Sequence, residues 1–470
     1  MCGFVGSIGT SDASARLLLG LQAIQHRGQD SAGIATMNGH GIHLRKGMGM
    51  IRDAVGNIDG LTGTAGIAHV RYPTAGATST AEDAQPFYTR RPGIVLAHNG
   101  NVTNVTELTD QLAEQGLQVL SQCDAEPILL VLSQELTAIR AAGHTAEDVT
   151  KAVRGVFERV RGAYSVVALL QVDGERTLLA FRDPMGIRPG VYGRTEEGGW
   201  MVASESVALD VHGVEKEGDI PAGAALLLRE GQEPVRLEVT PSEPRACVFE
   251  RIYFARPDSI MEDGRVNRQR WRMGRQLAKE WRARGLEADV VVAVPDTSRP
   301  AAMAMAEELE IRNREGFIKN RYSGRTFIMP DQASREAALR LKLNPIREIF
   351  DGQRVLLVDD SIVRGSTMRR IVQLVRTMNP VEVHIAIFSP SVRNPCFYGI
   401  DMPTQEELIA ANKPVEALAD YFGADSLTYL SLEGLSEVLG SKICAACFTG
   451  DYPVPVSASE RAAIEASRRG

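Results

Sequence analysis

The stretch VLLVDDSIVRGST, residues 355–367, constrains the fold of this chain more than any other. Four apolar residues without polar alternation suit a strand buried on both faces, and such strands belong to parallel sheets covered by helices. The run ends in Asp359 and Asp360, a turn follows from Ser361 to Thr367, and Met368, Ile371, Val372, Val375 and Met378 then fall on one face of a helix. The turn therefore sits where a strand ends and a helix begins. Unpaired N–H groups and the helix dipole favour an anion there, with Ser361, Ser366 and Thr367 adding hydroxyl donors. The paired carboxylates suit a neighbouring diol or a hydrated Mg²⁺. A phosphorylated sugar meets both demands. Two aspartates can also simply open a polar turn, but strand, acids, hydroxyl loop and helix here agree on a ligand site.

The rest of the second half repeats the pattern. ADVVVAVP reads as a buried strand leading to a helix start at Ser298 and Pro300, and VEVHIAIF is a further strand, so a mostly parallel α/β sheet is expected. The first half has a different texture, with short alternating apolar runs broken by Gly, Asn and Asp and a hairpin turn at Asp173-Gly174. Amphipathic helices interrupt it at SARLLLGLQAIQ and AEPILLVLSQELTAI, which makes an α+β domain with stacked antiparallel sheets. The polar stretch EVTPSEPRA separates the halves. The expected division is residues 2–237, residues 238–454 and a C-terminal tail, 455–470, read as a short, partly exposed helix.

A chain of 470 residues exceeds what one core holds, in keeping with two domains. Its formal charge of −7 argues against a nucleic-acid surface. Without a signal-like start or an apolar run of the roughly 18 residues a membrane helix needs, the expectation is a cytoplasmic protein with no membrane partner. Six cysteines are too few for a disulfide framework in so long a chain. Cys444 and Cys447 form a C-x-x-C that puts two sulfurs within reach of one metal centre, while Cys247 and Cys396 stand alone. Zinc, or reduced thiols without metal, is the reading from spacing alone.

Beyond these patterns, VLLVDDSIVRGST resembles the phosphoribosyl diphosphate signature of phosphoribosyltransferases. With YFARPDS, KNRYSGRTFIMP and FYGIDMP, the chain resembles the glutamine phosphoribosylpyrophosphate amidotransferases from Cys2 to about Pro453. The resemblance implies an amino-terminal-nucleophile glutaminase domain fused to a phosphoribosyltransferase domain. It also implies the first step of purine synthesis: glutamine, phosphoribosyl diphosphate and water give phosphoribosylamine, glutamate and pyrophosphate, with ammonia passing between the sites. A homotetramer and feedback by purine nucleotides come with it.

Cys2, once Met1 is removed, carries a thiol beside its own α-amine, whose intrinsic pKa of about 8 suits a local base. Gly3 is expected to leave room for the amide substrate. AHNGN resembles the family's oxyanion loop, which gives that role to Asn99 and the Gly100 N–H. HVRYPTAG supplies Arg71 for the substrate carboxylate, and CDAE supplies Asp124 for its ammonium group. QHRGQDSAG matches a segment that shapes the pocket, so Arg27 and Gly28 are placed beside glutamine. His26, His69 and His98 are read as structural neighbours of these motifs.

For the sugar phosphate, the resemblance assigns Asp359, Asp360, Ser361, Ile362, Val363, Arg364, Gly365, Ser366 and Thr367. It adds one Mg²⁺ per subunit on Thr297, Asp359 and Asp360. The segment from Lys319 to Ile349 is rich in Arg and Lys and reads either as a solvated helix or as a loop closing over the pyrophosphate, with Arg325 and Lys342 as contacts. One branch of the family holds a [4Fe-4S] cluster on cysteines in the contexts of Cys247, Cys396, Cys444 and Cys447, and that cluster is expected here, one per subunit. Cys123 is left as an unligated thiol. The sequence departs from the family pattern in placing Cys2 directly after Met1 where many cluster-bearing relatives begin with a short propeptide, in Cys123 where serine is common and in Ser366 where threonine is frequent. Sugar-phosphate aminases and asparagine synthetases share the first-domain motifs, but the phosphoribosyl motif and the missing SGGxDS loop speak against both. A ligand-sensing regulator would not need Cys2, Arg71, Asn99 and Asp124 together.

Overall fold

The computed structural model describes residues 2–39, 41–72, 80–262, 264–320 and 343–469. The first half is a four-layer sandwich. A seven-stranded antiparallel sheet holds Gly3–Ile8 between Trp200–Ala203 and Ala65–Arg71, with Ser31–Asn38 and Gly41–Met48 beyond. A six-stranded antiparallel sheet is built around Gly93–Val102, Gly162–Val172 and Glu175–Arg182. Phe4, Ile67, Val95, Val167, Leu178 and Trp200 interdigitate between the two sheets. Helix Ala13–Ala23 covers the outer face of the first sheet, and helices Ala125–Ile139 and Ala146–Arg159 cover the second.

The hairpin at Asp173-Gly174 forms as expected, both residues taking positive φ as a two-residue turn between right-twisted strands demands. The helix Ala146–Arg159 was not anticipated, although Thr145 and Asp148 make a reciprocal capping box at its start. Strand Val235–Glu238 crosses the expected boundary by one residue.

The second half carries five parallel strands in the spatial order Arg312–Arg314, Val290–Ala293, Arg354–Asp359, Glu382–Ile387, Ser426–Tyr429. Side chains alternate between two cores: Leu356 and Val358 face helices Val266–Arg282 and Arg299–Leu309, while Val355 and Leu357 face helix Ser366–Arg376. The chain leaves Val290–Ala293 to one side and returns on the other at Arg354–Asp359. That reversal opens a crevice beyond the carboxyl ends of the strands, where open α/β sheets bind ligands.

The C-terminal helix Ala458–Arg469 ties the halves together. Glu460 pairs with Arg161 at 2.9 Å, and the Arg468 guanidinium donates to the Cys396 carbonyl at 2.5 Å.

Candidate active site

Cys2 is buried at the head of the central strand, its thiol directed at the Tyr72 carbonyl, 3.7 Å away. The space over Gly3 is taken by protein rather than left for substrate. A Cβ there would stand 2.9 Å from Ile24 Cδ1 and 3.0 Å from Arg27 Cδ, so glycine admits the Arg27 side chain. Arg27 is completely buried. Its Nε donates to the Cys2 carbonyl at 2.9 Å, its terminal nitrogens bond Glu205 and Glu250, and Phe254 lies 4.8 Å from the guanidinium. The expectation that Arg27 binds glutamine is therefore corrected: the completely buried guanidinium is directed at protein groups, and it holds the start of the strand that begins beside Cys2.

Burial opposes that charge, but Glu250 and Glu205 hold the guanidinium above its ordinary pKa. Burial likewise opposes ionisation of Glu205, yet Arg27 and His26 keep its carboxyl well below the usual carboxylate range. Glu250 also accepts from Arg188 at 2.8 Å. Two buried carboxylates thus meet two buried guanidinium groups, the pairing without which such charges could not leave water.

Around Cys2 the other residues arrive from separate strands. Asn99 is fully buried, and neither atom of its amide has a hydrogen-bond partner among the described residues. An orphaned buried amide is costly unless a ligand satisfies it. At Gly100 a Cβ would come 2.1 Å from the Ala163 carbonyl, so no side chain fits between the strands. At Gly28 a Cβ would meet the Arg71 backbone at 2.5 Å, which seats that residue against the strand carrying Arg71.

Burial opposes the Arg71 charge, but Cys123, Cys2 and Asp124 hold it above its ordinary value. Asp124 accepts from His98 at 3.2 Å and from the Val102 N–H at 2.9 Å, and against the effect of burial these contacts hold its carboxyl below the usual range. His98 is thereby a structural partner. His69, bonded to the His98 carbonyl at 2.9 Å, is kept neutral chiefly by burial. Burial pushes the Cys123 thiol up to about 12.

Asp359 through Thr367 line one cavity of about 590 Å³ with Phe249, Tyr253, Phe254, Ile400 and Asp401. His26 and Tyr72 of the first domain complete its wall. Gly365, at φ +76, caps the following helix in a conformation that suits glycine. Burial and the adjacent Asp360 push the Asp359 carboxyl well up, and burial pushes Asp360 to about 6 despite the Ser361 hydroxyl and nearby Arg270. Two crowded, desolvated carboxylates are a donor set that a divalent cation relieves.

Thr297 lies beyond the neighbouring strand Val290–Ala293, in the turn before helix Arg299–Leu309, and outside the residues lining this cavity. Arg325 and Lys342 fall outside the described residues. The basic segment springs from a two-stranded ribbon, Phe317–Lys319 with Leu343–Pro345, and Lys319 pairs with Asp296 at 2.8 Å.

Cys247, Cys396, Cys444 and Cys447 line a second, narrow cavity with Ile187, Phe249, Tyr398 and Tyr452. Cys247 faces Cys444 across a parallel pairing of two short strands, and Cys447 starts the next turn. All four are free thiols, and burial pushes Cys247 up to about 11. Among the described residues no group of three or more His, Cys, Asp or Glu could hold a metal ion. Four thiols around a shared space fit a larger centre that bonds one sulfur per iron.

Sequence reasoning passed over Glu205, Glu250, Arg188 and Tyr72, and gave His26 no place in the sugar-phosphate pocket. The first domain also touches the second directly: Asn101 donates to the Phe397 carbonyl at 3.0 Å, and a Cβ at Gly399 would stand 2.9 Å from the Gly100 carbonyl.

Residues 70–211 match the glutamine amidotransferase domain family and residues 267–395 the phosphoribosyl transferase domain family. The amidophosphoribosyltransferase of Pseudomonas aeruginosa is 45% identical over 468 residues, covering 96% of this chain and 93% of that protein. Its counterpart in Methanothermobacter thermautotrophicus is 42% identical, covering 97% and 95%. Among solved structures, the glutamine phosphoribosylpyrophosphate amidotransferase from B. subtilis complexed with ADP and GMP has a TM-score of 0.87 at 37% identity, covering 97% of this chain and 98% of that one. An allosteric regulatory enzyme of purine biosynthesis gives 0.89 at 36% identity, covering 99% of both chains.

Proposed function

The chain belongs to the amidophosphoribosyltransferases, and from that premise we propose how its two sites divide the reaction. The enzyme converts glutamine, phosphoribosyl diphosphate and water into phosphoribosylamine, glutamate and pyrophosphate, the first step of de novo purine biosynthesis. One observation carries the division: Tyr72, whose carbonyl receives the Cys2 thiol, also lines the cavity formed by Asp359 to Thr367. The nitrogen released at one site therefore has a short path to the other.

Cys2 Sγ attacks the glutamine amide carbon, and the α-amine of Cys2, once it is the first residue, takes the thiol proton and passes it to the leaving ammonia. The orphaned Asn99 amide and the Gly100 N–H receive the oxyanion. Arg71 holds the substrate carboxylate and Asp124 its ammonium group, while Arg27 and Gly28 set the strands that carry Cys2 and Arg71. Water then releases glutamate from the thioester. In the second pocket the loop Ser361–Thr367 cradles the 5-phosphate with its amides and hydroxyls, and Asp359 and Asp360 face the ribose. Arg325 and Lys342 would neutralise the charge of the leaving pyrophosphate.

Asp359 and Asp360, with Thr297 as the third proposed ligand, would hold one Mg²⁺, which when bound neutralises diphosphate charge. Cys247, Cys396, Cys444 and Cys447 would hold one [4Fe-4S] cluster, with zinc or no metal as the alternative. The cluster would supply a structural link among the strand pair, the 396–402 segment and the tail, because the reaction moves no electrons. Purine nucleotides would inhibit through the phosphate loop, a reading supported by the ADP and GMP in the B. subtilis relative. The working form is a cytoplasmic homotetramer.

Protein purified without oxygen should release glutamate and pyrophosphate in equal amounts only when glutamine, phosphoribosyl diphosphate and Mg²⁺ are all present. Glutamate release that ignores the sugar would assign the second domain another ligand. Iron and sulfide near four each per chain would support the cluster, whereas zinc, or no metal, would remove it.

A further inference from the structure

The sugar-phosphate pocket contains one imidazole among its described lining residues, and it comes from the other domain. His26 and Tyr72 both line that wall, and the Tyr72 carbonyl also receives the Cys2 thiol. Its Nε2 lies 2.8 Å from Glu205 Oε1, and its ring packs against Phe254 with centroids 5.9 Å apart. Glu205 has no exposed surface, and Arg27 shares the same oxygen, while Glu205 Oε2 accepts from the Arg256 N–H at 3.0 Å and the Ser259 hydroxyl at 2.6 Å. The carboxylate is thus fixed on all sides and acts as an acceptor. An imidazole that donates Nε2–H to such a carboxylate has its tautomer set, with the lone pair on Nδ1.

The synthase step calls for such a group. Ammonia forms a bond from nitrogen to C1 of the ribose, and the C1–O bond to diphosphate breaks with its electron pair leaving on pyrophosphate. The nitrogen is then cationic, and one proton must depart to give neutral phosphoribosylamine. Asp359 and Asp360 stand at the strand end and are committed to the ribose and the cation, Asp401 is exposed, and the phenols of Tyr72 and Tyr253 are weak bases.

Resting on the reading of the two pockets given above, we propose that His26, backed by Glu205, is the general base of the synthase step and takes this proton on Nδ1. The imidazolium so formed faces the buried Glu205 carboxylate, and the proton passes to solvent once product leaves. The nucleophile strand and the proton acceptor are then held by one carboxylate, Glu205, through Arg27 on one side and His26 on the other.

The test drives the full-length, anaerobically purified protein with ammonium chloride in place of glutamine and follows pyrophosphate release. Pyrophosphate from the wild type establishes the phosphoribosyl reading independently, and its absence would overturn that reading rather than this one. His26→Ala should lower the ammonia-driven rate about 100-fold, the lower range for a general base, and added imidazole should recover at least about tenfold of it. His26→Gln keeps an N–H donor for Glu205 at the position of Nε2 but offers no basic nitrogen, so it should be as slow as His26→Ala. A wild-type rate in His26→Gln, or a loss in His26→Ala that imidazole does not restore, would overturn the proposal.

Discussion

The sugar-phosphate pocket takes Asp359 to Thr367 as one unbroken run of chain, whereas the glutamine side gathers Cys2, Arg71, Asn99 and Asp124 from four separated segments. Their charges differ accordingly. Asp359 and Asp360 crowd each other with their carboxyls pushed up, which leaves a demand for a cation or a diol. On the glutamine side Asp124 and Glu205 are held down by partners already in place. A pocket made of one loop can wait for its ligand to complete its electrostatics, because the loop is held by its own strand and helix. A pocket assembled from distant strands needs internal ion pairs to hold it together, and the Asn99 amide, unpartnered at both atoms among the described residues, is left for the oxyanion role proposed for it.

The strongest way to separate the two pockets is at the nucleophile. Cys2→Ser should lower glutamate release by about 10⁴-fold or more. Ammonia-driven pyrophosphate release, measured on the same preparation, should fall far less, and an equal loss would break the division of labour. Arg27→Met removes the guanidinium that Glu205 and Glu250 share, leaving Glu250 with Arg188 alone as its cation and Glu205 with His26, Ser259 and the Arg256 N–H. It should cost about 3–5 kcal/mol in urea unfolding, and a change below about 1 kcal/mol would mean that the pairs do not hold the site.

Asn99→Ala should reduce glutamate release about 10²–10³-fold, the usual effect of losing one oxyanion donor. On the other pocket, Gly365→Ala places a Cβ at positive φ and 2.7 Å from Ile409 Cδ1. A cost of about 1–2 kcal/mol should raise the KM for phosphoribosyl diphosphate about tenfold while the KM for glutamine stays put.

The smallest effect is in pH. The Glu205 carboxyl lies below its unfolded value of about 4.3, so its contribution is present above that pH and is lost as pH falls through the depressed value. The Tm gap between wild type and Glu205→Gln should be widest above about pH 4.3 and narrow below it. A constant gap would show that Glu205 contributes by shape alone.

Much of the architecture was legible because its signals are local. The Asp173-Gly174 hairpin, the helix start at Ser298 with Pro300 in its first turn and the alternation of strand and helix from residue 290 onward each follow from neighbouring residues. The helix Ala146–Arg159 had an equally local signal in Thr145 and Asp148 that went unread. Arg27 is a different case. QHRGQDSAG placed it near the pocket, but its partners Glu205 and Glu250 lie 178 and 223 residues away in the chain, and no spacing rule spans that distance. The same limit hid His26, whose ring reaches the pocket of the other domain, and Gly3, where the space a small residue leaves is filled by Arg27 rather than by substrate.

The sequence by itself determined the two domain types and the turn that joins a strand end to a helix after Asp359 and Asp360, and it supplied Cys2 as the proposed nucleophile, since periodicity, turn chemistry and thiol reactivity are properties of short stretches. Only the tertiary structure decided that Arg27 positions rather than binds, that four scattered cysteines line one cavity and that Tyr72 and His26 join the two pockets. Those facts depend on strand register and domain docking, which bring together groups hundreds of residues apart. A buried charge takes the partner that packing puts beside it, and no local pattern in the chain records that choice.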